Sequence, residues 1–156
     1  MKQNVSIYWI RQDLRLSDNP ALSAATKSGS IIPIFILDSV NSEEYLVGNA
    51  GKVWLHYSLD VLNKQYGNKL IFSKGDPEEI LTDICKSELI NKIFWNRVYE
   101  PWSISRDKII KENMKRKGIE VNTFNGSLLW EPWNVLKNDG TPYKVFTPYY
   151  RRGCLN

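Results

Sequence analysis

The stretch Ile7 to Leu22, IYWIRQDLRLSDNPAL, decides how this chain folds. It opens on an apolar run, Ile7, Tyr8, Trp9 and Ile10, preceded by Val5, and passes at once into charge at Arg11, Asp13, Arg15 and Asp18. A short apolar run of this kind reads as a buried strand that delivers charged groups at its carboxyl end. Asp18 or Asn19 then supplies a helix N-cap, and Pro20 takes the first helical position, where its missing N–H costs nothing. Strand, charged turn and helix together form the repeating unit of an open α/β sheet, whose ligands bind in the crevice beyond the strands' carboxyl ends. Two readings of the turn stand. Either Arg11, Asp13 and Arg15 pair among themselves to order it, or they face a ligand.

Outward from this stretch the same unit recurs. A helix over Pro20 to Ser28 turns Leu22 and Ala25 inward and stops at Gly29, and Ile31 to Leu37 (IIPIFIL) is a second apolar strand, covered on both faces as in a parallel sheet. Asp38 closes it at the same sheet edge as Arg11. Ser39 to Gly51 is a polar connection, long for this kind of link, and so either a ligand-binding lid or a surface insertion. Lys52 to Tyr66 places Leu55, Leu59, Leu62 and Tyr66 at helical spacing and stops at Gly67. His56, the single histidine, lies on this helix without a second histidine or a cysteine at ligand spacing, which favours packing over a metal.

Leu70 to Ser73 is a third strand, and Asp76 caps a helix over Pro77 to Lys86 that Pro77 opens, with Glu79 completing a box-like arrangement. Ile90 to Trp95 is a fourth strand, ending in the polar and aromatic cluster Asn96 to Trp102 (NRVYEPW). The next helix, Ser103 to Lys117, buries Ile109, Ile110 and Met114, and sets Lys108, Lys111, Lys115 and Arg116 outward among Asp107 and Glu112, the pattern of a solvated face. Ile119 to Phe124 alternates as a fifth strand.

Strands alternating with helices in this way predict a doubly wound, five-stranded, mostly parallel Rossmann-like sheet with helices on both faces. Its switch point falls between the first and fourth strands in a flavodoxin-like order or a related one. No Gly-x-Gly-x-x-Gly follows the first strand, which argues against a dinucleotide site of the usual kind. Residues 1–126 read as this domain. Residues 127–156 change character, with three prolines after Asn125 and a cluster of aromatic residues after Thr141, and read as an extended tail in which Asn138-Asp139-Gly140 turns a small hairpin.

Composition bounds the rest. Of 156 residues, 42% are hydrophobic and 24% charged, which excludes a disordered chain. No apolar run is long enough to span a membrane, and Met1 to Trp9 lacks the pattern of a signal peptide, so a cytoplasmic location is the expectation. Cys85 and Cys154 form neither a disulfide framework nor a metal-ligand pattern. The net charge of +4 admits a polyanionic partner without identifying one.

Taken together, WIRQDLRLSDNPAL, IPIFILD, GKVWLHYSLDVL, FWNRVYEPW followed by SRD, GIEVNTFNGSLLWEPW and GTPYKVFTPYYR resemble, in order and spacing, the N-terminal α/β domain of the DNA photolyase and cryptochrome family, and among its members bacterial cyclobutane-dimer photolyases. The resemblance implies an antenna domain. Its chromophore would be a reduced folate by preference, or a deazaflavin or FMN, while a larger C-terminal helical domain holds FAD and the lesion in damaged DNA. The partners implied are that FAD-binding domain and, through the whole protein, the DNA. This chain matches nothing of the FAD domain, so it reads as truncated near the linker, and repair by the chain alone is not expected.

The antenna pocket that the resemblance implies is walled by Arg11, Asp13, Asp38, Lys52, Asn96, Arg97 and Glu100. Lys52 stands where many relatives carry arginine and would meet an acidic chromophore tail, while Glu100 and Asn96 would hydrogen-bond the ring. Val98 departs from the aspartate of some deazaflavin-binding relatives and weakens that assignment. The alternatives are a blue-light receptor (cryptochrome) fragment, a stand-alone nucleotide-binding regulatory domain, disfavoured by the missing glycine-rich loop, and an interaction module suggested by the aromatic tail.

Overall fold

The computed structural model describes residues 5–40, 47–87 and 89–155. The chain divides into two compact units, Met1–Gly126 and Ser127–Asn156. In the first, β1 (Val5–Ile10), α1 (Pro20–Ser28), β2 (Ser30–Asp38), α2 (Asn49–Gln65), β3 (Ile71–Gly75), α3 (Pro77–Ile84), β4 (Ile90–Asn96), α4 (Pro101–Arg116) and β5 (Glu120–Phe124) alternate strictly. The strands form one sheet in the order β3-β2-β1-β4-β5, and every described pairing is parallel. This is the doubly wound sheet expected, with its switch between β1 and β4. The order is that of the first five strands of a Rossmann sheet, not the flavodoxin one.

Alternation along the central strands explains both layers. Ile7 and Trp9 of β1, Ile34 and Ile36 of β2, and Ile93 and Trp95 of β4 point to the face covered by Leu81 of α3 and by Ile110 and Met114 of α4. Tyr8, Ile10, Phe35 and Phe94 point to the opposite face, against Ala21 and Ala25 of α1 and Leu59 and Leu62 of α2. Period-two side chains between two helical layers leave no solvated face, hence the continuous apolar strands.

Local chemistry sets the ends of the elements. Asn19, not Asp18, caps α1, its Oδ1 accepting from Leu22 N at 3.0 Å, with Pro20 following. Asp76 caps α3 by accepting from Glu78 N at 2.7 Å. α2 begins at Asn49 rather than Lys52, with Gly48 at the N-cap, so the connection after Asp38 is shorter than expected; within it, residues 41–46 lie outside the described residues. On α4, Ser103, Ile110 and Met114 make the inward stripe, and Ile109, expected inside, is 54% exposed, because at about 100° per residue it falls to one side of the line those three define.

The second unit carries no hairpin of strands among its described residues, which corrects the expectation for Asn138 to Gly140. A turn is present, with Gly140 N donating to Lys137 O and Lys137 N to Thr141 O, both at 2.9 Å, and with Gly140 at φ +76°. Pro132–Asn134 before it is a 3-10 turn and Phe146–Pro148 after it is helical, running into a wider π-type turn at Tyr149–Cys154. Pro142, directly after the turn, has no N–H to extend a ladder. No helix of the described residues is long and apolar enough to cross a membrane.

Candidate functional site

The carboxyl ends of β1, β2 and β4 meet the first turns of α4, and there the charged groups gather. Beneath the surface lies a saturated polar network. The Asp13 carboxylate accepts from Tyr8 Oη at 2.8 Å, from its own turn's Arg11 N at 3.1 Å, and from the amides of Asn19 and Asn96 at 3.1 and 2.6 Å. Asn96 also donates to Asn19 Oδ1 at 2.8 Å and accepts from Ala21 N at 3.2 Å, so it ties β4 to the start of α1. Asp13, Asn19 and Asn96 are all buried, and a buried polar network is favourable only when its members are satisfied, as these are. Burial, reinforced by the charge of Asp13 and the bond to it, raises the Tyr8 phenol well above its ordinary range; burial and Asp13 raise Tyr66 too.

Above the network lies an arginine–tryptophan layer. The Arg11 guanidinium donates to Asp107 and to the Asn96 carbonyl, and sits 4.8 Å from the Trp9 ring and 5.6 Å from that of Trp95. Arg106 pairs with Asp38 at 2.9 Å and with Asp107 at 2.7 Å, and lies between the rings of Trp9 and Trp102, at 5.2 and 4.9 Å. Trp9 and Trp95 meet edge to face at 5.3 Å. Burial lowers the Arg11 pKa, and Asp107 opposes that effect. The guanidinium planes bury against rings while their edges serve carboxylates, an arrangement lysine cannot reproduce.

This layer forms one wall of a cavity of about 460 Å³ whose lining includes Trp9, Arg11, Asp38, Trp54, Glu100 and Arg106, with Val98 and Trp102 beside them. Its two arginines are already matched by Asp38 and Asp107. What it leaves open is an acceptor: Glu100 Oε1 takes a bond from Gln12 Nε2 at 2.7 Å, but the buried Oε2 has no hydrogen-bond partner. Although Glu100 stands at the N-cap of α4, its side chain makes no capping bond there. Arg11 Nε is likewise buried without a partner. A cavity of this size with aromatic walls and a single open carboxylate oxygen accommodates a planar heterocycle that carries N–H donors.

The expected site residues therefore separate. Arg11, Asp38 and Glu100 line the cavity. Asp13 and Asn96 lie beneath it and hold the turn. Arg97 donates to Thr123 O and Oγ1 at 2.7 and 2.9 Å, toward β5. Lys52 lines a neighbouring cavity. Arg11, Asp13 and Arg15 do not pair among themselves through their side chains; Arg15 donates instead to Asp18 O and Gly126 O. Asp107, read as part of a solvated face, is turned inward, and Arg106 was not singled out in the sequence. Their signal was spacing, since residues 103, 106 or 107, 110 and 114 fall on one helical stripe.

A doubly wound α/β unit with an aromatic, acid-bearing crevice at its strand ends is the class of domain defined so far. The DNA photolyase family model matches residues 6–156, and the chain belongs to that family. It is 38% identical to a deoxyribodipyrimidine photo-lyase of Agrobacterium fabrum over 93% of this chain and 30% of that protein. It is 37% identical to cryptochrome-1 of Arabidopsis thaliana, over 97% of this chain and 23% of that protein. The crystal structure of a class III photolyase from Agrobacterium tumefaciens superposes with a TM-score of 0.87 at 37% identity, covering 97% of this chain and 32% of the other. The chain thus spans less than a third of the length of each of these three relatives.

Proposed function

We propose that the crevice binds a light-harvesting chromophore and that the chain is the antenna unit of a longer photolyase. In that protein, absorbed energy passes to FAD in a helical domain that reverses pyrimidine dimers in DNA. The observation that carries this reading is the partnerless Glu100 Oε2 on the wall of an aromatic cavity. A reduced folate suits it best, because an aminopyrimidinone edge offers adjacent N–H donors to one carboxylate, whereas the ring of a flavin or deazaflavin offers a single imide N–H. Trp9, Trp102 and Arg106 supply the flat, polarisable wall. Asp13 and Asn96 act beneath the site as positioning residues.

Equilibrium titration of the protein with methenyltetrahydrofolate, 8-hydroxydeazaflavin and FMN, followed by absorbance, tests the proposal. The folate is expected to bind with the highest affinity, and Glu100→Leu to weaken it about tenfold or more, roughly 1.4 kcal/mol. Binding of none of the three below about 1 mM, a standard free energy of roughly 4 kcal/mol, overturns it. The likeness to a plant cryptochrome favours one second reading, a blue-light receptor with the same antenna unit. Light-dependent repair of dimers by the longer protein separates the two.

A further inference from the structure

A second cavity, of about 450 Å³, lies between α2 and the β2–β3 side of the sheet, and its chemistry is unlike that of the crevice. Its body is apolar, built from Phe35 and Leu37 of β2, Leu55 and Leu59 of α2, and Phe72 of β3. Its polar lining is basic. Lys52 and His56 lie one helical turn apart on α2, and Lys74 comes from β3 beside Ser73. Among the described residues no carboxylate lines it, and neither lysine forms an ion pair.

Two contrasts give this composition meaning. In the crevice, Arg11 and Arg106 are neutralised by Asp38 and Asp107, whereas the two lysines here leave a positive field over an apolar wall, which concentrates anions. Phe72 is 50% exposed on the edge strand, where a polar or charged residue would better shield the sheet's free edge and where its ring contributes little to the core. An exposed ring in a lining that also carries two lysines without ion pairs fits an occupant with a flat face and an oxyanion, and a volume in the usual range for small-molecule sites admits a two- or three-ring body.

We propose that this cavity is a binding site for a planar organic anion, an aromatic ring system bearing one carboxylate or phosphate. The rings lie against Phe35, Leu55 and Phe72, and the oxyanion sits at the Lys52–Lys74 rim with the His56 imidazole as a further donor. The site shares Phe35, Leu37 and Leu55 with the crevice but none of its charged groups, so it stands whether or not a chromophore occupies the crevice.

Amide shifts of the isotope-labelled 156-residue protein, titrated with 2-naphthoate and separately with the uncharged 2-naphthylmethanol, test it. Saturable shifts are expected at Lys52, His56, Phe72, Ser73 and Lys74, with the alcohol about tenfold weaker or more, roughly 1.4 kcal/mol. The double variant Lys52→Gln, Lys74→Gln is expected to lose about that factor for the acid and nothing for the alcohol. Both lysines are exposed, and the same spectra report that the variant is folded. Equal affinities for acid and alcohol, shifts centred on Val98, Glu100 and Trp102, or no saturation below about 1 mM would each overturn the proposal.

Discussion

Tyr8 is a residue with two dependences. Its ring packs in the core against α1 and α2, while its hydroxyl donates to Asp13 and accepts from Asn19 at 2.6 Å. Ionising it would bury a second negative charge beside the first, so its pKa in the folded protein is raised, by burial first and by Asp13 next. The unfolded chain releases this proton near about pH 10 and the folded one does not. The contribution to stability is therefore complete below about pH 10 and is lost as the pH rises above it. Urea unfolding is expected to show a midpoint that falls steeply above that pH, and less steeply in Tyr8→Phe. A second expectation concerns Gly126, where an added Cβ would lie 2.5 Å from Asn96 Cγ. Asn96 cannot yield without breaking its bonds to Asp13, Asn19 and Ala21, so Gly126→Ala is expected to destabilise by about 1–3 kcal/mol in the same measurement.

At the scale of elements, the helices owe their ends to single side chains and their positions to the sheet. α3 is only eight residues long, with Asp76 at its N-cap and Glu78 and Glu79 in its acidic first turn. Asp76→Ala is expected to cost about 1 kcal/mol, read from chemical unfolding, with Asp76→Asn close to neutral because the amide oxygen can still accept from Glu78 N. The periodicities that define α1 to α4 and the five strands could be read from the chain because an apolar stripe repeats locally. The role of α4 could not. Arg106 and Asp107 look like members of a charged surface when counted along the helix, yet α4 starts at the carboxyl end of β4, from where their side chains reach the ends of β1 and β2. Their side chains meet partners 68 and 96 residues away in the chain, Asp38 and Arg11.

At the scale of the whole molecule, both hydrophobic clusters belong to the first unit, one on each face of the sheet. A chain ending at Gly126 is therefore expected to keep its circular dichroism and unfold cooperatively, checked by thermal and urea denaturation. Loss of a cooperative transition would show that 127–155 is required for the fold. The second unit presents Phe146 and Tyr150 stacked at 5.7 Å and 71% and 43% exposed.

The stretch Ile7 to Leu22 and its repeats determined by themselves that this protein is a doubly wound α/β domain, that Pro20 opens its first helix behind an Asp18 or Asn19 cap, and that charge collects at the strands' carboxyl ends. These are consequences of local periodicity and capping, which act over a few residues. Only the tertiary structure decided what those charges do. It made Asp13 and Asn96 the support of the turn, turned Arg97 toward β5, gave Lys52 to a second cavity, and brought Arg106 and Asp107 into the crevice to neutralise Asp38 and Arg11. The reason is physical: a buried charge takes whichever partner the packing of distant elements brings within reach, and spacing along the chain carries no record of that choice.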